Sequence, residues 1–136
     1  MIINDYSKKW LMKSNREYLT AEKLLEYSED TSLTEAICFH SAESVEFFLK
    51  AYITTKEIPF TETGSLEYVI NMCKHLDPGF ENIKMGNIAN YINQKWTPES
   101  IMPGLKEAHE AFRAAESVRA FVLDSLNMDV KDLLPS

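Results

Sequence analysis

The sequence predicts an all-α protein, an antiparallel up-and-down bundle of four to five helices. Three observations predict it. Apolar residues recur with a 3.6-residue period over long stretches, the pattern of helices with a buried face. Most of the prolines and glycines stand between those stretches, where they punctuate the chain. Strict alternation of apolar and polar residues, the mark of a half-buried strand, is nowhere sustained over five positions outside them.

The first helix is expected from about Asp5 to Glu29, with Trp10, Ser14, Tyr18, Ala21 and Leu25 on one face and Lys8, Lys9, Lys13, Glu22 and Lys23 opposite. Asp5 or Ser7 could cap it. The second is expected from about Leu33 to Lys56, where Ser32 and Glu35 have the spacing of a capping box. Its apolar face holds Ile37, Val45, Phe48, Leu49 and Tyr52, with Cys38 and Phe47 widening it, and a face so wide implies packing on two sides. A shorter helix is expected from Ser65 to about Leu76, stopped by Asp77-Pro78-Gly79. A fourth is expected over roughly Asn82 to Lys95, although Gly86 weakens it by ~1 kcal/mol relative to alanine. After a loop containing Trp96, Pro98, Pro103 and Gly104, the last helix is expected from about Leu105 to Leu126. It bears one stripe with Ala108, Phe112, Ala115, Val118 and Val122, and a second with Ala111, Ala114 and Phe121. Residues 127–136 read as a partly ordered tail. Two doubly apolar helices in so small a domain suggest apolar surface left over, and hence a homodimer through a helix face.

At 136 residues and 15.6 kDa, the chain reads as a single domain, 1–136, with its core from about residue 5 to 126. The 14 Lys and Arg against 21 Asp and Glu leave a net charge of −7. That excludes bulk DNA binding through the overall field, though not a local basic pocket. No apolar run approaches the ~20 residues that cross a bilayer, and the N-terminus lacks a signal-peptide core. Cys38 and Cys73 are too few for a disulfide framework. A cytoplasmic, membrane-independent protein is the expectation.

Most chemical motifs are missing. Four scattered glycines make neither G-x-G-x-x-G nor a P-loop. Di-iron bundles need Glu-x-x-His pairs, but Ile37, Met72 and Lys106 stand three residues before His40, His75 and His109. No serine sits in a strand-turn-helix nucleophile setting, and no cofactor or metal is implied. His40, Glu43 and Glu46 share a face of the second helix; such a face is ordinarily solvated or hydrogen-bonded. On the last helix Lys106, His109 and Arg113 form a basic stripe flanked by Glu107 and Glu110, ordinarily a salt-bridged surface. The sharper reading is a phosphate-facing patch joined by Lys95 and Trp96, a cation beside an aromatic platform suited to a base.

The second helix carries the most specific signal. CFHSAESVEFFLKAY, Cys38 to Tyr52, resembles the corresponding helix of HEPN domains through Cys38, Phe39, His40, Val45, Glu46, Leu49, Lys50 and Ala51, with Glu43 where a glutamine is usual. Trp10, the Pro59…Gly64-Ser65-Leu66 turn, the NYINQKWTPES stretch and the alanines Ala108, Ala111 and Ala115 extend the likeness over about Trp10 to Leu126. The resemblance implies a helical bundle, usually homodimeric, that binds nucleotides or RNA. Many such proteins are encoded beside a separate minimal nucleotidyltransferase, often as toxin–antitoxin pairs. Catalytic members are metal-independent ribonucleases using an Arg followed, four to six residues on, by a His.

This chain departs from that pattern at the chemistry. No histidine follows Arg16, Arg113 or Arg119 at that spacing, Gly64 replaces the turn histidine, and Lys95-Trp96 replaces the family's Arg-Tyr pair. A lysine still meets a phosphate, though not as a bidentate fork. The expectation is therefore a non-catalytic dimeric module that binds a nucleotide, RNA or a nucleotidyltransferase-type partner. Its binding residues would be Lys95, Trp96, Lys106, His109 and Arg113, with His40, Glu43, Glu46 and Lys50 as a second group. The alternative is a divergent ribonuclease or toxin in which His109 is the base and Arg113 or Lys95 the phosphate cation.

Overall fold

The computed structural model describes residues 3–27, 31–59, 61, 64–93 and 96–134. Among these the chain is helical with no strand. Helix α1 spans Asp5–Leu25, α2 Thr34–Thr55, α3 Leu66–Leu76, α4 Asn90–Asn93 and α5 Leu105–Ser125. Three 3₁₀ turns, Thr31–Leu33, Pro78–Asn82 and Val130–Leu133, join or finish them.

Local chemistry sets the ends. The Asn4 side chain, not that of Asp5 or Ser7, caps α1 by accepting from the Ser7 amide at 2.8 Å. Asp5 then lies in the first turn, where the helix dipole favours a carboxylate. The helix ends at Leu25, four residues before the expected Glu29. Ser32 falls inside the 3₁₀ turn that leads into α2, so Leu33 occupies the cap position. Ser65 caps α3, and Asp77 accepts from the Gly79 amide at 2.8 Å to redirect the chain. Helix α5 stops where Asn127 turns left-handed at φ 55°, letting the Met128 amide donate back to the Leu123 carbonyl at 2.9 Å.

Two expectations are corrected. The helix expected over Asn82–Lys95 is regular only at Asn90–Asn93. Before it, Ile83 is extended and Gly86 takes φ 54°, a left-handed conformation that a continuous α-helix cannot contain. The apolar residues of that stretch still point inward, with Ile88 buried and Tyr91 and Ile92 packed against the core. The supposed tail is also ordered up to residue 134. Asp129 and Asp132 form a capping box, and Leu133 is buried.

Helix α2 is the hub, packed against α1, α3, α4 and α5. Its wide apolar face is covered inside the chain, where Ile37, Val45, Phe48, Leu49 and Tyr52 are fully enclosed. Four buried serines, Ser7, Ser14, Ser41 and Ser44, are small enough to let the helices approach closely. Ser44 donates to the Ser14 carbonyl at 3.1 Å and Ser14 to the Trp10 carbonyl at 2.6 Å, so α1 and α2 are also tied by hydrogen bonds. The second stripe of α5 meets the 78–91 segment: Phe80, fully buried, packs on Tyr52 at 5.1 Å and on Phe121 at 4.4 Å between ring centres. The wide apolar face of α2 is thus covered by α1, α3, α4 and α5 of the same chain. Among the described residues no helix is long and apolar enough to cross a membrane.

Close packing under α5 yields a test. A Cβ on Gly79 would stand 2.7 Å from the Phe121 ring. Gly79→Ala is expected to destabilise the protein by ~1–3 kcal/mol through overpacking, read as a lower midpoint in urea.

Candidate functional site

The broken stretch 82–91 and α5 line an open hollow of about 710 Å³. Gly86, at φ 54°, interrupts the helix here, and residues 82–88 with Tyr91 line the hollow opposite Glu107, Glu110, Ala111 and Arg113 of α5. Ile83, Met85, Ile88 and Ala111 make an apolar floor, and Tyr91 stands in the wall. The rim carries Lys84, Asn87, Glu107, Glu110 and Arg113. Lys84 and Arg113 are exposed, and no carboxylate lies within salt-bridge distance of either among the described residues. Two uncommitted cations over an apolar floor suit a ligand with one anionic group and a flat or apolar body.

Tyr91 sits between this cleft and the protein interior. Burial pushes its phenol up to about 12, reinforced by the neighbouring Cys38, Glu107 and Glu110. It therefore keeps its proton at neutral pH and offers a hydroxyl, not a charge. Its partner is Cys38, whose thiol burial raises to about 11 although the hydrogen bond with Tyr91 opposes the shift. Cys73, buried beneath α2 and pointing at the Leu49 carbonyl at 3.7 Å, is pushed up to about 12 by burial. Both thiols are expected to resist a disulfide reagent in the native protein at pH 8 and to react only on unfolding. Their raised folded values also fix a sign. Between about 9 and 11–12 the unfolded chain gives up thiol protons that the native chain keeps, so stability should fall as pH rises through that window. Melting temperatures at pH 8 and 10.5 check this.

The residues expected from sequence separate into groups. Arg113 reaches the cleft, but neither Lys106 nor His109 lines it. Trp96, 61% exposed, lines a different hollow of about 40 Å³ with Glu35, Tyr91, Ile101 and Met102. The two hollows share only Tyr91. Lys95 lies outside the described residues. Lys84, Asn87 and the role of Tyr91 were not singled out from sequence, since Lys84 reads there as one more solvated residue of a helix.

The second group does come together, on the flank between α1 and α2. His40 Nδ1 lies 2.7 Å from Glu17 Oε2, and Glu17 Oε1 pairs with Lys13 at 3.2 Å. Lys50, its side chain only 7% exposed, pairs with Glu46 at 3.3 Å and lies 5.6 Å from the centre of the Trp10 ring. Trp10 packs on Phe47 at 5.7 Å. Glu43 sits among these groups, its carboxyl raised by burial and by Glu17 and Glu46, against the opposing pull of Lys13 and His40. That Glu17 of α1 pairs with His40 had no sequence signal, because the two stand 23 residues apart. Among the described residues no three His, Cys, Asp or Glu side chains could share a metal ion.

A helical bundle with a central helix and a side cleft is the class these features define. The comparison with protein families narrows it: the HEPN domain model matches residues 7–126, nearly the whole chain. The chain belongs to the HEPN domain family. No curated protein and no solved structure matches it.

Proposed function

We propose that this HEPN domain is a non-catalytic, dimeric binding module that takes a nucleotide, or the end of an RNA, in the cleft between residues 82–91 and α5. The observation that carries the reading is the pair of uncommitted cations, Lys84 and Arg113, over an apolar floor walled by Tyr91. The cations meet the phosphate, and the floor and Tyr91 receive the base. Ribonuclease chemistry is not part of the proposal. The sequence lacks the Arg-x4-6-His spacing, and His109 does not line the cleft that Arg113 rims. A separate nucleotidyltransferase-type chain, as in toxin–antitoxin pairs, is the protein partner that membership of the family favours. Calorimetric titration with AMP, ATP and a short RNA tests the reading, with an RNA-cleavage assay alongside. Saturable heat without cleavage supports it. Silence with all three ligands at millimolar concentration removes the nucleic-acid branch, and cleavage abolished by His109→Ala would restore the enzyme.

A further inference from the structure

The loop between α4 and α5 presents apolar side chains to solvent. Trp96 is 61% exposed, Ile101 89% and Met102 48%. Single apolar residues scattered over a surface are ordinary, whereas a contiguous patch marks a place of contact. The loop that carries them is held in shape. The Thr97 amide donates to Ser100 Oγ at 2.9 Å, and the Ser100 amide donates to the Thr97 carbonyl at 2.9 Å. Pro98 and Pro103 restrict the backbone further. Together with Tyr91 and with Glu35 of α2, this loop lines the hollow of about 40 Å³. Among the described residues Glu35 is the one charged side chain that lines it. Glu35 is exposed in the first turn of α2, and no cation among the described residues lies within salt-bridge distance of it.

These features select an occupant. The hollow is far smaller than the ~300–1,000 Å³ of pockets that enclose a small molecule, so it has room for the head of one side chain. An anionic group, a phosphate included, would be opposed by Glu35. A wholly apolar one would cover that carboxylate and leave it unpaired. A cation answers it, and the rings of Trp96 and Tyr91 favour a cation with a flat face. Guanidinium meets both demands, because it pairs with a carboxylate through two parallel bonds and stacks on an aromatic ring. An ammonium is a compact, strongly hydrated point charge and does neither. The net charge of −7 also draws a basic partner toward the surface. We propose that Glu35 and the loop 96–103 form a docking site for a partner protein that inserts an arginine here. The arginine pairs with Glu35 and stacks on Trp96, and apolar residues beside it rest on Ile101 and Met102. The site is independent of the ligand in the cleft, with which it shares only Tyr91.

Two immobilised peptide pools test it. In both, a central residue is flanked on each side by randomised apolar residues. The centre is arginine in one pool and citrulline, its uncharged isostere, in the other. The full chain, labelled, is passed over each. The arginine pool is expected to retain it at least ~10-fold better, the scale of one charge-assisted pair. Glu35→Gln and Trp96→Ala should each abolish that preference. Both side chains are exposed, so the fold is not threatened, and circular dichroism melts verify each variant. Glu99→Gln removes a carboxylate of the same loop that does not line the hollow, and should preserve the preference. Equal retention by the two pools overturns the site. So does a preference that survives Glu35→Gln or Trp96→Ala, or one that Glu99→Gln abolishes as well. Retention of the labelled chain by immobilised copies of itself, lost in Glu35→Gln, would make a second copy the occupant and overturn the foreign partner.

Discussion

Replacing Arg113 with glutamate is expected to reduce AMP affinity by ~10–100-fold while leaving the melting temperature within a few degrees of wild type. The side chain is exposed and makes no ion pair among the described residues, so its loss costs the fold little. At the cleft it is one of the two cations on the rim among the described residues, beside Glu107 and Glu110. The new carboxylate would add a third negative group where the proposed ligand's phosphate would sit. A charge-assisted hydrogen bond contributes roughly 1.5–3 kcal/mol, which corresponds to about one to two powers of ten in affinity. Lys84→Glu should act in the same direction, and Lys106→Glu, outside the cleft, should not. Calorimetry on the three variants separates the local cleft from a general effect of charge on a chain already at −7.

Phe80→Ala is expected to have the largest effect on stability. Phe80 is fully buried, edge-on to Tyr52 of the central helix and tilted against Phe121 of α5. It is the bolt by which the irregular 78–91 segment is held to the bundle. Truncating a buried phenylalanine costs ~3–5 kcal/mol in lost transfer energy and residual cavity. For a domain of this size that is a fall in melting temperature on the order of 10–20 °C. The segment that Phe80 anchors forms one wall of the cleft, so AMP binding should be lost with it, even at temperatures where most of the variant remains helical. A loss below ~1 kcal/mol would mean that the segment is held by other contacts.

Four of the five helices were legible because each signal is local. Ser65 caps α3, Asp77-Pro78-Gly79 ends it, and the periodic apolar residues of α2 and α5 are the ones found enclosed. The errors arose where several local outcomes are open to the same residues, or where the deciding contact is distant. Asn4, Asp5 and Ser7 are all competent caps, and only the geometry of the first turn selects Asn4. The 82–95 stretch has a helical apolar pattern, but one glycine in the left-handed region divides it. Leu133 is buried because the C-terminal turn packs back against α1, which nothing in residues 127–136 announces.

The site was less legible than the fold for the same reason. Arg113, a cation on the polar side of α5, could be named from spacing alone. Which of Lys106, His109 and Arg113 lines a hollow depends on what packs opposite, and that is the segment misread as a helix. His40, Glu43 and Glu46 share a face of α2 by their spacing, and Lys50 follows Glu46 by one turn. Their partners Lys13, Glu17 and Trp10 lie on another helix, and they turn a surface stripe into a half-buried cluster.

The most direct test of the central claim is a titration of isotope-labelled protein with AMP, followed residue by residue by nuclear magnetic resonance. The expected result is saturable shifts centred on Lys84, Asn87, Tyr91, Glu110 and Arg113, with the α1/α2 flank around Glu17 and Glu43 unmoved. Saturable shifts confined to residues outside that cleft, or none at millimolar AMP, would contradict it.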